Sequence, residues 1–216
     1  MHRWLFLGLM LALPFLLSGA PAVREVRDLE HVLGELEQYG RTHARWNVPR
    51  DHGRFLWLVT EAIRAKRVLE IGTSNGYSSL WIARGLRHTG GRLITMEYDE
   101  VRGNEAKENF AKAGFDDIIT LHQNDAFKVI PTLEGEFDLI FIDANKRDYK
   151  KFFDMTFAKL KPGGVLLAHN AVAMADQMRD FLDAVENHPQ LITNIVQMGQ
   201  DGFSMSFKRR RIEKQE

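Results

Sequence analysis

From residue 25 onward the apolar positions change period repeatedly along the chain. Val26, Leu29, Leu33 and Leu36 recur every three or four residues and predict an amphipathic helix over residues 25–39. A second helix is expected after Asp51, whose carboxylate suits an N-cap, with Phe55, Leu56, Val59, Ala62 and Ile63 on its buried face. Short apolar runs follow at residues 67–71, 92–97, 118–121, 137–142 and 165–168, of the kind found in strands buried on both faces. Helical spacing fills the gaps, most clearly over residues 146–160 and 173–186. Strands alternating with helices predict an α/β fold, a parallel sheet covered on both faces. The alternation ends with runs at 191–196 and 203–207 flanking Gly199-Gln200-Asp201-Gly202, which reads as an antiparallel hairpin.

Residues 1–22 do not fit this scheme. Arg3 precedes an apolar run over residues 4–17, followed by Ser18-Gly19-Ala20-Pro21-Ala22, a small-residue site of the A-x-A kind. The run is short of the ~20 residues that span hydrocarbon. It reads as a signal peptide, with cleavage after Ala22, or as an N-terminal anchor. Export to the periplasm or medium, or anchoring to a membrane through this segment, is therefore expected. A cytoplasmic location follows if the segment is not a working signal. The basic residues Arg24 and Arg27 lie beyond the run, so charge does not fix the orientation. Residues 23–216 form one domain in this reading, with N-terminal helices over 23–64 and the sheet and its helices over 65–208.

The chain has 216 residues, with 44% hydrophobic and 27% charged, which excludes wholesale disorder. Lys+Arg and Asp+Glu both number 29, so nothing suggests nucleic acid as a partner, which needs a basic surface. There is no cysteine, hence no disulfide, thiolate nucleophile or cysteine-ligated metal. The basic tail at residues 208–211 reads as a solvated end.

In open α/β sheets, ligands bind beyond the carboxyl ends of the strands. The first such end is Val68-Leu69-Glu70-Ile71-Gly72-Thr73-Ser74-Asn75-Gly76-Tyr77-Ser78. Its glycines permit a tight turn, and the following helix start offers unpaired N–H groups to an anion. Glu97, at the end of the next strand, is placed to accept hydrogen bonds from ribose hydroxyls. The spacing Gly72-x-x-x-Gly76 lacks the third glycine of a nicotinamide site and the Gly-Lys-Ser/Thr of a P-loop. A ligand with a ribose but no phosphates fits better, and S-adenosylmethionine is the candidate. A nicotinamide oxidoreductase and a cofactor-binding module without catalysis stand as alternatives.

Three segments resemble one family closely: Glu70 to Ser78, then Phe137-Asp138-Leu139-Ile140-Phe141-Ile142-Asp143-Ala144-Asn145-Lys146, and Leu160-Lys161-Pro162-Gly163-Gly164. The family is the S-adenosylmethionine-dependent O-methyltransferases of the caffeoyl-CoA and catechol type. Asp51-His52-Gly53-Arg54-Phe55-Leu56 is similar to its segment before the first strand, and the likeness runs from about Asn47 to the last strand. The resemblance implies a Rossmann-like, doubly wound sheet of seven strands with the last antiparallel. It implies methyl transfer to a hydroxyl of a small, phenolic or catechol-like acceptor, and by analogy a homodimer. Glu70, Gly72, Thr73, Gly76 and Ser78 would hold the methionine part of the cofactor, Glu97 its ribose, and Asp125 and Ala126 its adenine edge. Val48 would add a backbone contact.

At the reacting centre the family binds a divalent cation with an aspartate after the fourth strand and an Asp-Asn pair after the fifth. Asp143, Asn170 and the neighbouring Lys146, the family's candidate general base, match, but His169 stands in place of the second aspartate. Losing a carboxylate disfavours Mg²⁺, while imidazole suits borderline ions. Either Asp143, His169 and Asn170 bind a softer metal, or the centre is metal-free with His169 as general base, or His169 only hydrogen-bonds backbone. Asp143, Lys146 and His169 are thus the catalytic candidates. Tyr149 and His122 read as packing residues, and His52 is open between a lid and the core.

Overall fold

In a computed structural model, residues 28–210 are described. The segment expected to be a signal or anchor, residues 1–22, lies outside them. Two helices, α1 (Leu29–Thr42) and α2 (Arg50–Ala62), precede the first strand. Then come β1 (Arg67–Ile71), α3 (Tyr77–Thr89), β2 (Arg92–Glu97), α4 (Glu100–Ala113), β3 (Ile119–Gln123), the short α5 (Ala126–Val129) and β4 (Phe137–Ile142). After them follow α6 (Tyr149–Thr156), β5 (Leu160–His169), α7 (Arg179–Glu186), β6 (Leu191–Met198) and β7 (Asp201–Lys208). The seven strands form one sheet in the order β3-β2-β1-β4-β5-β7-β6. All neighbours run parallel except β7, which is antiparallel to both β5 and β6.

The two-residue period of the strands sorts their side chains between two cores. Val68, Leu139, Phe141, Val165 and Leu167 join one core, with Leu33, Leu56, Leu80, Trp81 and Phe110 from α1 to α4. Leu69, Ile140, Ile142, Leu166 and Ala168 join the other, with Phe152, Phe153, Phe181 and Val185 from α6 and α7. The buried runs seen in the sequence are buried because helices cover both faces, as a parallel sheet requires. Helix α2 lies close against α3 because residue 53 is glycine: a Cβ there would collide with the Trp81 indole. That approach brings His52 (1% exposed) to the sheet.

Several boundaries differ from expectation. Helix α1 runs past the expected end at residue 39 to Thr42, and the expected start at residues 25–27 lies outside the described residues. The capping role expected of Asp51 is corrected: α2 starts at Arg50 after Pro49, and the Asp51 carboxylate instead accepts the His52 N–H at 3.0 Å. Residues 146–160 do not form one long helix, since a 3-10 turn at Lys146–Asp148 leads into α6 and another at Phe157–Lys159 ends it. The 173–186 helix is likewise a 3-10 turn at Ala175–Met178 followed by α7. The hairpin turn is only Gly199-Gln200, with Met198 paired to Asp201 and Gly199 at φ 65°.

Candidate functional site

The sheet order reverses between β1 and β4, and there the strand ends open into a cavity of about 970 Å³. Gly72, Thr73, Ser74, Asn75 and Ser78 line one part of it, and Glu97 and Tyr98 follow from β2. Asp125 and Ala126 come from the end of β3, Val48 from the segment before α2, and Asp143, Lys146, His169 and Asn170 from the ends of β4 and β5. The strand-end arithmetic therefore gathers most of the proposed residues around one space.

Two do not face it. Glu70 is fully buried beneath the turn, its carboxylate accepting hydrogen bonds from Ser78 Oγ and Thr95 Oγ1 at 2.7 Å each and from Ser79 Oγ. Burial pushes its carboxyl up to about 7, against the opposing pull of those three hydroxyls. Glu70 thus braces the turn from below. Gly76 is absent from the cavity wall too. It starts α3 in the left-handed region at φ 89°, and a Cβ there would strike the Phe110 ring. Gly72, at φ 103°, does face the cavity, yet its Cβ would collide with the Asp143 carbonyl oxygen. Both glycines are demanded by the protein's own packing.

The turn also carries unspent donors. Ser74 Oγ and Asn75 Nδ2 are buried without a hydrogen-bond partner, beside the N-terminus of α3. A buried donor left unpaired costs about 1–3 kcal/mol, so a ligand oxygen is the natural recipient. Glu97 is 6% exposed, and its carboxylate accepts the Ser74 N–H at 2.8 Å and the Asp99 N–H at 3.0 Å. Two acceptor positions on that carboxylate remain for hydroxyl donors. Asp125 caps α5 through the Phe127 N–H at 2.9 Å. The segment over this side of the cavity is pinned by Arg45, which pairs with Glu105 of α4 through Nε at 2.8 Å and Nη2 at 2.6 Å. Asn47 Nδ2 also donates to the Leu36 carbonyl at 2.9 Å. Trp46 and Tyr98 present exposed aromatic faces to the cavity rim.

The opposite part is a charge cluster. Lys146 Nζ donates to Asp143 Oδ1 at 2.8 Å, the Ala144 carbonyl at 3.1 Å and Tyr149 Oη at 2.9 Å. Asp143 Oδ2 lies 3.3 Å from His169 Nδ1. Burial alone would raise the Asp143 carboxyl, but His169 and Lys146 beside it hold it well below the usual carboxylate range. Tyr149 is fully buried, as expected of a packing residue, and burial with the nearby Asp143 charge pushes its phenol well above its ordinary value. His169 Nε2 is 2.8 Å from His52 Nδ1, and His52 Nε2 is 3.2 Å from the Met198 carbonyl. Asn170, at φ 60°, turns its carboxamide to donate to Asp201 Oδ2, while Asp201 Oδ1 accepts the Ala173 N–H at 3.0 Å.

These bonds bear on the metal expectation. Both oxygens of Asp143 and both ring nitrogens of His169 already face other protein groups, and the Asn170 carboxamide is turned so that its nitrogen meets Asp201. Among the described residues, no group of three or more His, Asp or Glu is arranged to hold a metal ion. The donor set does not fit a divalent cation. The same contacts leave His169 no free nitrogen to act as general base. His52 and Asp201 are the residues that sequence reasoning left open or missed. Asp201 was assigned to a hairpin turn, where an aspartate is ordinary. No local pattern pairs positions 52 and 169.

The O-methyltransferase family model matches residues 25–201. A catechol O-methyltransferase of Mycobacterium tuberculosis is 34% identical over 178 residues, covering 75% of this chain and 80% of that protein. One from Niastella koreensis is 37% identical over 130 residues, 58% of each chain, so this chain spans less than two thirds of that relative. Among solved structures, an O-methyltransferase of Bacillus cereus in complex with S-adenosylhomocysteine superposes with TM-score 0.77 at 28% identity, covering 87% of this chain and 94% of that one. A Streptomyces achromogenes O-methyltransferase bound to S-adenosylmethionine gives 0.77 at 28% identity, with 85% and 92% covered. With the glycine turn, Glu97 and Lys146 meeting at one strand edge, and with no third glycine for a nicotinamide, the chain belongs to the S-adenosylmethionine-dependent O-methyltransferase family.

Proposed function

We propose that this chain methylates a hydroxyl of a small phenolic, catechol-like acceptor, with S-adenosylmethionine as donor. The observation that carries the reading is a single cavity joining unspent donors at the α3 N-terminus to the Lys146–Asp143 pair. Ser74, Asn75 and the backbone of the Gly72 turn would hold the donor's amino-acid end, Glu97 its ribose, and Asp125 with Ala126 its base. When bound, the donor supplies an electrophilic methyl on a sulfonium. The chain's own contribution is then positioning, since holding two reactants in line removes most of the entropic barrier. Lys146, fixed by three acceptors, brings positive charge to the place where an acceptor oxygen would lie, and Asp143 orients it. The catechol acceptors named for the two relatives support the substrate class.

Isothermal titration with S-adenosylhomocysteine and with NAD, followed by methyl transfer to a panel of catechols, tests this. Binding of the first ligand with turnover supports it. Binding without turnover on any catechol would leave a silent module, and binding of NAD alone would revive the oxidoreductase alternative. Among the described residues no helix is long and apolar enough to cross a membrane. The apolar run at residues 4–17 is proposed as a targeting signal or anchor, checked by fractionation and N-terminal sequencing. A homodimer, checked by sedimentation, is proposed on family analogy alone.

A further inference from the structure

We propose that Asp201 is a positioning residue for the methyl acceptor: its carboxylate ties the connection between β5 and α7 to the hairpin, and so sets Met174 and Gln177 as a wall of the acceptor end of the cavity. The proposal rests on the methyl-transfer reading above. Beyond His169 the chain leaves the sheet through Asn170, at φ 60°, and reaches the 3-10 turn at Ala175–Met178 without joining a helix or strand on the way. Four successive backbone N–H groups on that path need acceptors of their own. The Ala171 N–H extends the β5–β7 pairing by donating to the Gly202 carbonyl at 3.1 Å, and the Met174 N–H closes a turn onto the Asn170 carbonyl at 3.0 Å. The two between them, Val172 and Ala173, both donate to Asp201 Oδ1, at 3.4 Å and 3.0 Å. One carboxylate therefore satisfies half of the donors that fix this connection, and hydrogen bonds to an ionised acceptor are the stronger kind.

Asp201 is itself held in place. It opens β7 opposite Met198, and the next residue has to be glycine, because a Cβ on Gly202 would lie 2.2 Å from the Val196 carbonyl oxygen of β6. The connection is also anchored in the core by Ala171 and Met178, both buried. Met174 and Gln177, between those anchors, line the cavity. They are three residues apart, and so share one side of the 3-10 turn. That turn packs against the one at Lys146–Asp148, which carries the lysine placed above at the acceptor oxygen. An acceptor whose oxygen meets Lys146 therefore has its ring against Met174 and Gln177. A thioether and a carboxamide carry no charge, and sulfur packs well on an aromatic ring. A flat, uncharged ring fits this wall, and the wall stands where Asp201 holds it.

The test compares Asp201→Ala and Asp201→Asn in the full chain, with Gln200→Ala in the exposed hairpin turn as control. With catechol as acceptor, Asp201→Ala should raise KM roughly tenfold with kcat within about threefold of wild type, and the S-adenosylhomocysteine affinity should not change. Asp201→Asn keeps an oxygen for the Ala173 N–H and should recover part of the loss, while Gln200→Ala should match wild type. Met174→Ala should shift the kcat/KM ratio of 4-tert-butylcatechol to catechol by roughly tenfold toward the bulkier ring. Asp201→Ala should shift it in the same direction, because a released wall no longer excludes bulk. Amide exchange on the chain loaded with S-adenosylhomocysteine reads out without turnover: Asp201→Ala should speed exchange roughly tenfold over residues 170–178 and leave β1 and β2 unchanged. Added catechol should slow that exchange in wild type and not in the variant. A loss of kcat and of S-adenosylhomocysteine affinity with KM unchanged would overturn the proposal, as would exchange over 170–178 that ignores the carboxylate. A wild type that neither binds nor methylates any catechol, with the exchange difference intact, sinks the substrate reading and takes the acceptor role with it. Catechol turnover that is indifferent to Asp201 sinks the acceptor role alone.

Discussion

Replacing Glu70 by glutamine should make the protein more stable at pH 8 and leave it nearly unchanged at pH 5. The carboxyl is fully buried and its protonation midpoint is raised from 4.5 to about 7. Between those values the folded chain keeps a proton that the unfolded chain has released, so the group's favourable contribution is complete below pH 4.5 and is lost as pH rises through 7. At about 1.4 kcal/mol per tenfold change in proton affinity, the interval amounts to about 3 kcal/mol. Glutamine has nearly the same shape and carries no charge to desolvate: its carbonyl oxygen can accept from Ser79 and Thr95 while its amide nitrogen donates to the Ser78 hydroxyl oxygen. Urea unfolding of Glu70→Gln and wild type, measured in parallel from pH 5 to pH 8.5, isolates this group because all other titrations are shared. The stability gap should widen in the variant's favour by roughly 2–3 kcal/mol across that range. A gap constant within about 0.5 kcal/mol would refute the reasoning, because the three hydroxyls would then stabilise the carboxylate as well as water does.

Gly72→Ala forces a Cβ against the Asp143 carbonyl at a positive φ, and should cost about 2 kcal/mol or more in urea unfolding while weakening S-adenosylhomocysteine binding. Lys146→Met should lower kcat by roughly 10²–10³-fold with the S-adenosylhomocysteine affinity, read by calorimetry, within a few-fold of wild type. Arg45→Ala releases the segment carrying Trp46 to Val48 from Glu105 and should cost only about 1 kcal/mol of stability, yet raise the S-adenosylhomocysteine dissociation constant severalfold. Phe203→Ala, which empties a fully buried site between Phe55, Phe141 and both histidines, should destabilise by about 3–5 kcal/mol in the same unfolding assay.

The strands β1, β2 and β4 end where their apolar runs end, because each is sealed by helices on both faces and the run itself is the signal. Strand β5 is longer than its apolar run, since Pro162-Gly163-Gly164 looks like a turn yet stays paired through a register shift opposite Phe137 and Leu139. Helix ends were harder to read. The 3-10 turns at Lys146–Asp148 and Phe157–Lys159 keep helical spacing in the sequence while changing the hydrogen-bonded ring. In the site, Glu97, Asp143 and Lys146 were legible because they follow strand ends, where topology alone fixes position. The same logic does not reveal that Glu70, one residue short of the turn, is pointed by the pleat beneath the cavity wall. His52 was legible only as a histidine near a helix start. Its partner is 117 residues away and meets it through the packing of α2 on the sheet.

The antiparallel direction of β7 has a practical consequence. Asp201 begins that strand beside the cavity, and Phe207 already lies opposite Val165, four residues before the carboxyl-end His169 of β5. The polypeptide therefore leaves the sheet at the edge away from ligand entry. A fluorophore or surface tether attached through Arg209→Cys, in a chain with no other thiol, should sit at the molecule's rear and leave substrate access open. The same cargo inserted at Gly199-Gln200 would crowd the opening itself.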